Sequence, residues 1–339
     1  MWKLYYIVSF YVGAVTCLSV PPAGVAPKIK LNDGNSMPAF GLGTWLGFDG
    51  KGGVHKVTSD SVEKAVEAAI DIGYRHIDTA YIYFTEEQVG KAVNKKIKNG
   101  DVKREDVFIT TKLWNDKHAR QDVVPSLRES LAKLNLEYVD LYLVHWPIST
   151  YSNNTVNEID YVETWQGMVE AKKLGLARSI GVCNFNVQQL ERLINSSDVA
   201  PAVLQVEVNL NLQQEQLRQF SRDHGIAVMG YTPFGSLFPS KATSNSPPPR
   251  VDDPELVKLA NRHGKTVPQI VLRYLFELGV VPIPKTVKKE RLMENVDIFD
   301  FELQAEDKDL LKSFDRNYRT IDLRSFWATS KFYPFELDE

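Results

Sequence analysis

His76-Ile77-Asp78-Thr79-Ala80-Tyr81-Ile82-Tyr83 is the stretch on which the fold turns. It begins as a buried strand at Arg75-His76-Ile77 and ends by presenting a carboxylate and a phenol five residues apart. Two later strands run out in the same way: Phe108-Ile109-Thr110-Thr111 delivers Lys112, and Leu141-Tyr142-Leu143-Val144 delivers His145. Asp, Tyr, Lys and His, each placed where a buried strand surfaces, make a proton-donating set. A phenol with a pKa of about 10 is a poor acid at neutral pH, and a lysine held close by lowers that value. The carboxylate keeps the lysine charged and fixed, and the histidine steers a substrate oxygen toward the phenol.

Outward from this stretch the chain alternates strand and helix. Short apolar runs fall at 40–45, 75–80, 107–113, 139–146, 177–185, 203–209, 227–234 and 280–284. Helix-period segments separate them, among them 61–72, 86–98, 122–134, 161–174 and 253–263. In the first of these, Lys64, Glu67 and Asp71 share one side, while Val62, Ala65, Val66, Ala69 and Ile70 share the other, as an amphipathic helix requires. The Asp33-Gly34 turn between apolar flanks predicts a hairpin ahead of the first of these strands. Eight strands with eight crossovers and no interior linker predict a single (β/α)8 TIM barrel with an N-terminal β-hairpin and long active-site loops. A doubly wound sheet is the alternative. Against it, Gly41-Leu42-Gly43-Thr44-Trp45 lacks the third glycine of a dinucleotide fingerprint and does not open directly into a helix. The one low-complexity stretch, residues 240–250, then falls in the loop after the seventh strand, on the catalytic face. Thr44, Asp78, Lys112, His145, Asn184, Gln205 and Tyr231 converge on that face, although they are far apart in sequence.

The chain has 339 residues, 43% of them hydrophobic and 24% charged, with a formal net charge of −3. That balance gives no electrostatic reason to expect nucleic acid as a partner. Lys95-Lys96 and Lys288-Lys289 read as solvated helix faces, and no metal-ligand set is expected. Lys3 is followed by no charge until Lys28. Residues 1–20 therefore read as a cleaved secretory signal peptide, leaving residues 21–339 as the barrel. The rival is an uncleaved anchor, weakened by Gly13, Thr16, Ser19 and Pro21-Pro22. Cleavage removes Cys17 and leaves Cys183 alone, so the mature fold carries no internal disulfide. A secreted monomer with no stable membrane association is the expectation, with sequons at Asn153 and Asn195.

The chain also resembles a known family. Gly41-Leu42-Gly43-Thr44-Trp45, His76-Ile77-Asp78-Thr79-Ala80, Glu86-Glu87-Gln88-Val89-Gly90, Thr111-Lys112-Leu113-Trp114, His145-Trp146-Pro147, Ser179-Ile180-Gly181-Val182-Cys183-Asn184-Phe185-Asn186 and Ile283-Pro284-Lys285-Thr286 resemble, in unbroken order, the aldo-keto reductase superfamily. A narrower resemblance, to lepidopteran reductases of 3-dehydroecdysone, rests on residues 113–120, 159–168 and 247–254.

The superfamily resemblance implies NADPH as cofactor and a small-molecule carbonyl substrate; the narrower one makes that substrate a steroid. It implies Tyr83 as the general acid, Lys112 paired with Asp78 to lower its pKa, and His145 to orient the carbonyl. Relatives with Glu in place of this His reduce steroid carbon–carbon double bonds, so His145 points to a carbonyl. Among the cofactor contacts the resemblance places Gly43, Thr44, Trp45, Asp78 and Cys183, with Asn184 and Gln205 on the nicotinamide carboxamide and Tyr231 stacked on the ring. Thr232, Phe234 and Ser236 line the pyrophosphate. Lys285, Thr286 and Arg291 meet the 2′-phosphate, with Asn295 near the adenine; two cations and a hydroxyl around one phosphate favour NADPH over NADH. Trp45, Tyr83, Trp114, His145 and Trp146 form the substrate pocket.

Taken singly, Asp78 is a strand-end cap, Lys112 a surface lysine, His145 a satisfied core histidine and each tryptophan plain packing; the joint order makes them a site. The chain departs from better-known members at Cys183, where many carry Ser. It departs again at Leu46 and Phe238, where clasped members carry a Lys–Asp pair. A reading of a different class, a binding barrel without turnover, is disfavoured because such a protein has no chemical need for Lys112 or His145.

Overall fold

Period-two alternation in the strands decides what faces inward. The computed structural model describes residues 24–48, 53–56, 58–321 and 323–335; the leader read over residues 1–20 and Cys17 lie outside them. Eight strands form one sheet: β1 (Leu42–Gly43), β2 (His76–Asp78), β3 (Phe108–Leu113), β4 (Val139–Val144), β5 (Ala177–Cys183), β6 (Val203–Glu207), β7 (Ala227–Tyr231) and β8 (Val280–Pro282). In β4, Leu141 and Leu143 pack into one apolar cluster, while Tyr142 and Val144 pack into another. The first fills the barrel interior together with Cys183, Val203, Met229 and Val281. The second lies between the strands and the surrounding helices and holds Ile77, Ile109, Leu204 and Val206. The same alternation turns Asp78, Lys112, Gln205 and Tyr231 inward.

All neighbouring strands run parallel and follow chain order from β1 to β8. A doubly wound sheet reverses its order at a switch point; this one does not. The ring closes where Gly41 N–H donates to Pro282 O and Gly43 N–H to Pro284 O, both at 3.1 Å. Gly43 is explained by that closure, since a Cβ there would stand 2.9 Å from Ile283 O. The fold is the (β/α)8 barrel.

The intervening helices are α1 (Ser61–Ile72), α2 (Glu86–Lys98), α3 (Arg120–Leu134), α4 (Tyr161–Lys173), α5 (Val187–Asn195), α6 (Glu215–Asp223), α7 (Pro254–His263), α8 (Val267–Glu277), α9 (Lys289–Val296), α10 (Ala305–Lys312) and the short α11 (Arg324–Trp327). Their buried faces match the apolar stripes; in α1 these are Val62, Ala65, Val66, Ala69 and Ile70. The start of α7 is fixed chemically, with the Asp253 carboxylate accepting from Glu255 N and Leu256 N and Pro254 in the first turn. The expected hairpin pairs Lys28–Lys30 with Ser36–Pro38. It plugs the end where strands begin, through Asn32 Nδ2 to Pro201 O (2.8 Å) and Lys172 to Asp33 (2.5 Å). Three longer excursions leave the opposite end: the small hairpin Ser149–Thr150/Val156–Asn157 after β4, the loop over 232–253 after β7, and the C-terminal segment after α10.

Candidate active site

Asp78 closes β2, Lys112 lies near the end of β3, and His145 follows β4 directly. Tyr83 stands on a single helical turn, Tyr81–Tyr83, which turns the chain back over the strand ends. Lys112 is fully buried; its Nζ donates to Asp78 Oδ1 at 2.6 Å, to Thr79 O at 2.9 Å and to the Tyr83 hydroxyl at 3.3 Å. Because the phenol oxygen accepts from Lys112, the phenol's own proton is turned away from the lysine. The second carboxylate oxygen of Asp78 accepts from Gln205 Nε2 at 2.8 Å. The ring of Tyr83 meets His145 edge-on at 5.6 Å between centroids.

The electrostatics differ in one respect from the sequence expectation. Lys112 does pull the Tyr83 phenol pKa down, but burial outweighs it and the net value is pushed up to about 12. The phenol therefore stays protonated throughout the neutral range. The Lys112 ammonium is penalised by burial, yet Asp78 and Tyr83 more than offset this and keep it charged. Burial and the charge of Lys112 hold the His145 imidazole neutral, and its Nδ1 has no hydrogen-bond partner among the described residues. Burial likewise keeps Cys183 a thiol.

Beside this group, Asn184 follows β5 in the left-handed region (φ 60°), a conformation that Asn tolerates better than most side chains. It donates from Nδ2 to His145 O at 2.9 Å and accepts from the Tyr231 hydroxyl at 2.8 Å. Asn184, Gln205, Tyr231 and the buried Cys183 thus line one side of the mouth. Thr44 hydrogen-bonds to Asp78 O (3.0 Å). Along the loop after β7, Thr232 takes a left-handed turn, Phe234 meets Phe238 edge-on at 5.5 Å, and Ser236 donates to Asn211 Oδ1 at 3.2 Å. Lys285 and Arg291 are exposed, and among the described residues neither has a carboxylate partner; Thr286 and Asn295 are buried beside them. Two unneutralised cations with a hydroxyl and an amide fit a phosphorylated adenosine. Leu46, half-buried, packs on the apolar core, and Phe238 packs on Phe234, so these two positions make no charged clasp across the loop.

Trp45 stacks over Tyr83 at 6.3 Å, Trp114 meets His145 edge-on at 5.2 Å, and Trp146 is buried against Trp327 at 5.3 Å. The sequence reading missed Trp327 and Phe335, which complete this apolar wall from the C-terminal segment; no periodicity marks them. It also missed Lys241: although Lys285 is exposed as a residue, partial burial of its ammonium and then repulsion from Lys241 lower its pKa. Lys241 lies in the low-complexity loop, where a single cation carries no signal.

Residues 39–316 match the aldo/keto reductase family. The chain belongs to that family. It is 51% identical over 310 residues to the aldo-keto reductase AKR2E4 of Bombyx mori, covering 91% of this chain and 98% of that one. It is 38% identical over 325 residues to aldo-keto reductase family 1 member C18 of Rattus norvegicus, covering 91% and 97%. The crystal structure of the Bombyx mori AKR2E4 in complex with NADP superposes with a TM-score of 0.86 at 50% identity, covering 91% of this chain and 99% of that one. The structure of AKR2E5 complexed with NADPH gives 0.88 at 47%, covering 92% and 94%. This aldo-keto reductase is an NADPH-dependent oxidoreductase of small-molecule carbonyl compounds.

Proposed function

We propose that this reductase converts a ketone on a bulky apolar ring system, of the kind found in 3-dehydroecdysone, into the 3β-alcohol. The observation that carries the substrate class is the wall of Trp45, Trp114, Trp146 and Trp327 around the Tyr83 and His145 rings. Trp45 and Trp114, both partly exposed, present the apolar face beside the proton donor, and the buried Trp146 and Trp327 back it, a surface suited to an apolar ring system. Bound NADPH supplies the hydride. Tyr83 gives its proton to the carbonyl oxygen as the alkoxide develops, and Lys112, held charged by Asp78, stabilises the phenolate left behind. The neutral imidazole of His145 positions the same oxygen. Asn184 and Gln205 anchor the nicotinamide carboxamide, and Tyr231 supports the ring. Consumption of NADPH with 3-dehydroecdysone, set beside simple aldehydes, tests the substrate. A kcat/KM for the steroid no better than that for a small aldehyde would remove it.

In this reading Lys285 and Arg291 read the 2′-phosphate, which NADH lacks. Replacing both with Met is expected to weaken NADPH binding at least tenfold while leaving NADH nearly unchanged. Parallel loss of both affinities would show that the two cations serve the fold instead.

Secretion as a monomer is part of the same proposal. The leader predicts a mature N-terminus near Val20. Asn153 is the better placed sequon, in an exposed turn where its Oδ1 accepts from Thr155 N–H and Oγ1; Asn195 ends α5. N-terminal sequencing of protein from its native source decides the matter, and an intact Met1 would sink cleavage.

A further inference from the structure

Three polar side chains just beyond Gln205 take no part in the chemistry, yet they are almost completely buried: Glu207, Asn209 and Asn211 are 0%, 1% and 3% exposed. Burying polar groups so deeply is costly unless each is satisfied, and the partners come from two separate parts of the chain. From the C-terminal segment, Thr320 N–H and Ile321 N–H donate to the Glu207 carboxylate at 3.0 and 2.9 Å, joined by the Thr320 hydroxyl. Arg316 N–H and Tyr318 N–H donate to Asn211 O, and Asn211 Nδ2 donates to Phe314 O. From the loop after β7, Ser236 donates to Asn211 Oδ1, Asn211 Nδ2 donates to Pro248 O at 2.7 Å, and Asn209 Nδ2 reaches Thr232 O at 3.5 Å. The loop backbone also presses directly on this turn: Gly235 has φ +46°, and a Cβ there would stand 2.7 Å from Asn209 Cγ. The amide of Asn209 joins the two halves, since its Nδ2 also donates to Glu207 Oε1 at 3.0 Å and its Oδ1 accepts from Asn211 N–H.

The segment held by Glu207 leads to Trp327, which packs behind Trp114 and Trp146 and so backs the apolar wall, and the loop held by Asn211 carries Thr232, Phe234 and Ser236. We propose that Glu207, Asn209 and Asn211 are positioning residues that couple closure of the loop after β7 to the placement of the C-terminal pocket wall. Seating a cofactor phosphate group under the loop tightens the Asn211 and Asn209 contacts, and these set the strap that Glu207 grips. By linkage, an apolar ligand in the pocket then strengthens the hold on the phosphate end of the cofactor by the same factor. The choice of a steroid alcohol as probe rests on the function proposed above; the coupling itself does not.

A bound nicotinamide ring would lie near Tyr83 and would couple the two ligands by direct contact, so the test removes it. The probes are 2′-phospho-ADP-ribose, which reaches the loop but carries no nicotinamide, and a steroid 3β-alcohol, each titrated alone and in the presence of the other on the intact chain by tryptophan fluorescence. In the wild type, the fragment is expected to tighten alcohol binding about fivefold, a factor at the low end of usual coupling between sites. In Glu207→Gln, which turns an amide toward the Thr320 and Ile321 N–H groups, and in Thr320→Val, that factor is expected to fall below about two, with fragment affinity alone changed less than twofold. Should Glu207→Gln fail to fold, Thr320→Val decides, because it removes one hydroxyl and leaves the backbone contacts. A wild type without coupling, or a Thr320→Val protein with full coupling, would overturn the proposal. If the steroid alcohol does not bind at all, the same titration with a planar aromatic alcohol separates a wrong substrate class from an absent linkage.

Discussion

Tyr83→Phe is expected to abolish carbonyl reduction while leaving cofactor affinity and the fold intact. General acid catalysis contributes about 10²- to 10⁴-fold, so the loss in kcat should be at least of that order. The fold has no reason to suffer. Lys112 loses the longest of its three contacts, at 3.3 Å, and keeps Asp78 at 2.6 Å and Thr79 O at 2.9 Å. Only the hydroxyl leaves, so the Trp45 and His145 ring contacts persist. Steady-state turnover and a cofactor titration on the same preparation check this. Activity within a few-fold of wild type would take Tyr83 out of the mechanism.

Asp78→Asn is expected to damage both stability and rate, and the two losses can be separated. Lys112 is completely buried, and its salt bridge with Asp78 holds its charge there. Removing one partner of such a pair costs about 3–5 kcal/mol, because the other charge is left buried without compensation. The neutral amide also has only one acceptor oxygen for two donors, Lys112 Nζ and Gln205 Nε2. A melting midpoint lower by roughly 5–10 °C follows. Adding Lys112→Met removes the stranded charge and is expected to restore most of the midpoint, but none of the activity, since nothing then stabilises the Tyr83 phenolate. Single-mutant stability equal to wild type would mean that the pair carries no weight in the folded state. Recovery of turnover in the double mutant would mean that the lysine has no catalytic part.

The barrel and the inward set were legible because strand alternation is a local property: Asp78, Lys112, Gln205 and Tyr231 fall on one face by parity alone. Helix α7 was legible as a segment over 253–263 by its periodicity, and its start is fixed locally by Asp253 and Pro254. What escaped depended on distant partners. The net pKa of Tyr83 follows burial by neighbours contributed from several strands, and burial reversed the direction expected from Lys112 alone. Trp327 and Phe335 belong to a segment whose place is fixed by Glu207 and Asn211, more than a hundred residues earlier. Glu207 and Asn209 read as the tail of an apolar strand, and nothing local shows that such polar residues will be gripping another part of the chain.

The hairpin at the closed end has a consequence for orientation. Val25 N–H donates to Gly73 O, at the turn leading into β2, and Lys28 enters the plug. Both lie at the floor of the barrel, while Tyr83, His145 and the tryptophans ring its rim. The described part of the chain therefore begins on the side opposite the mouth. A tether, a fusion partner or a surface attached through the N-terminus would hold the reductase upright with its opening facing outward, so that immobilisation by that end is expected to leave access for a bulky substrate unhindered.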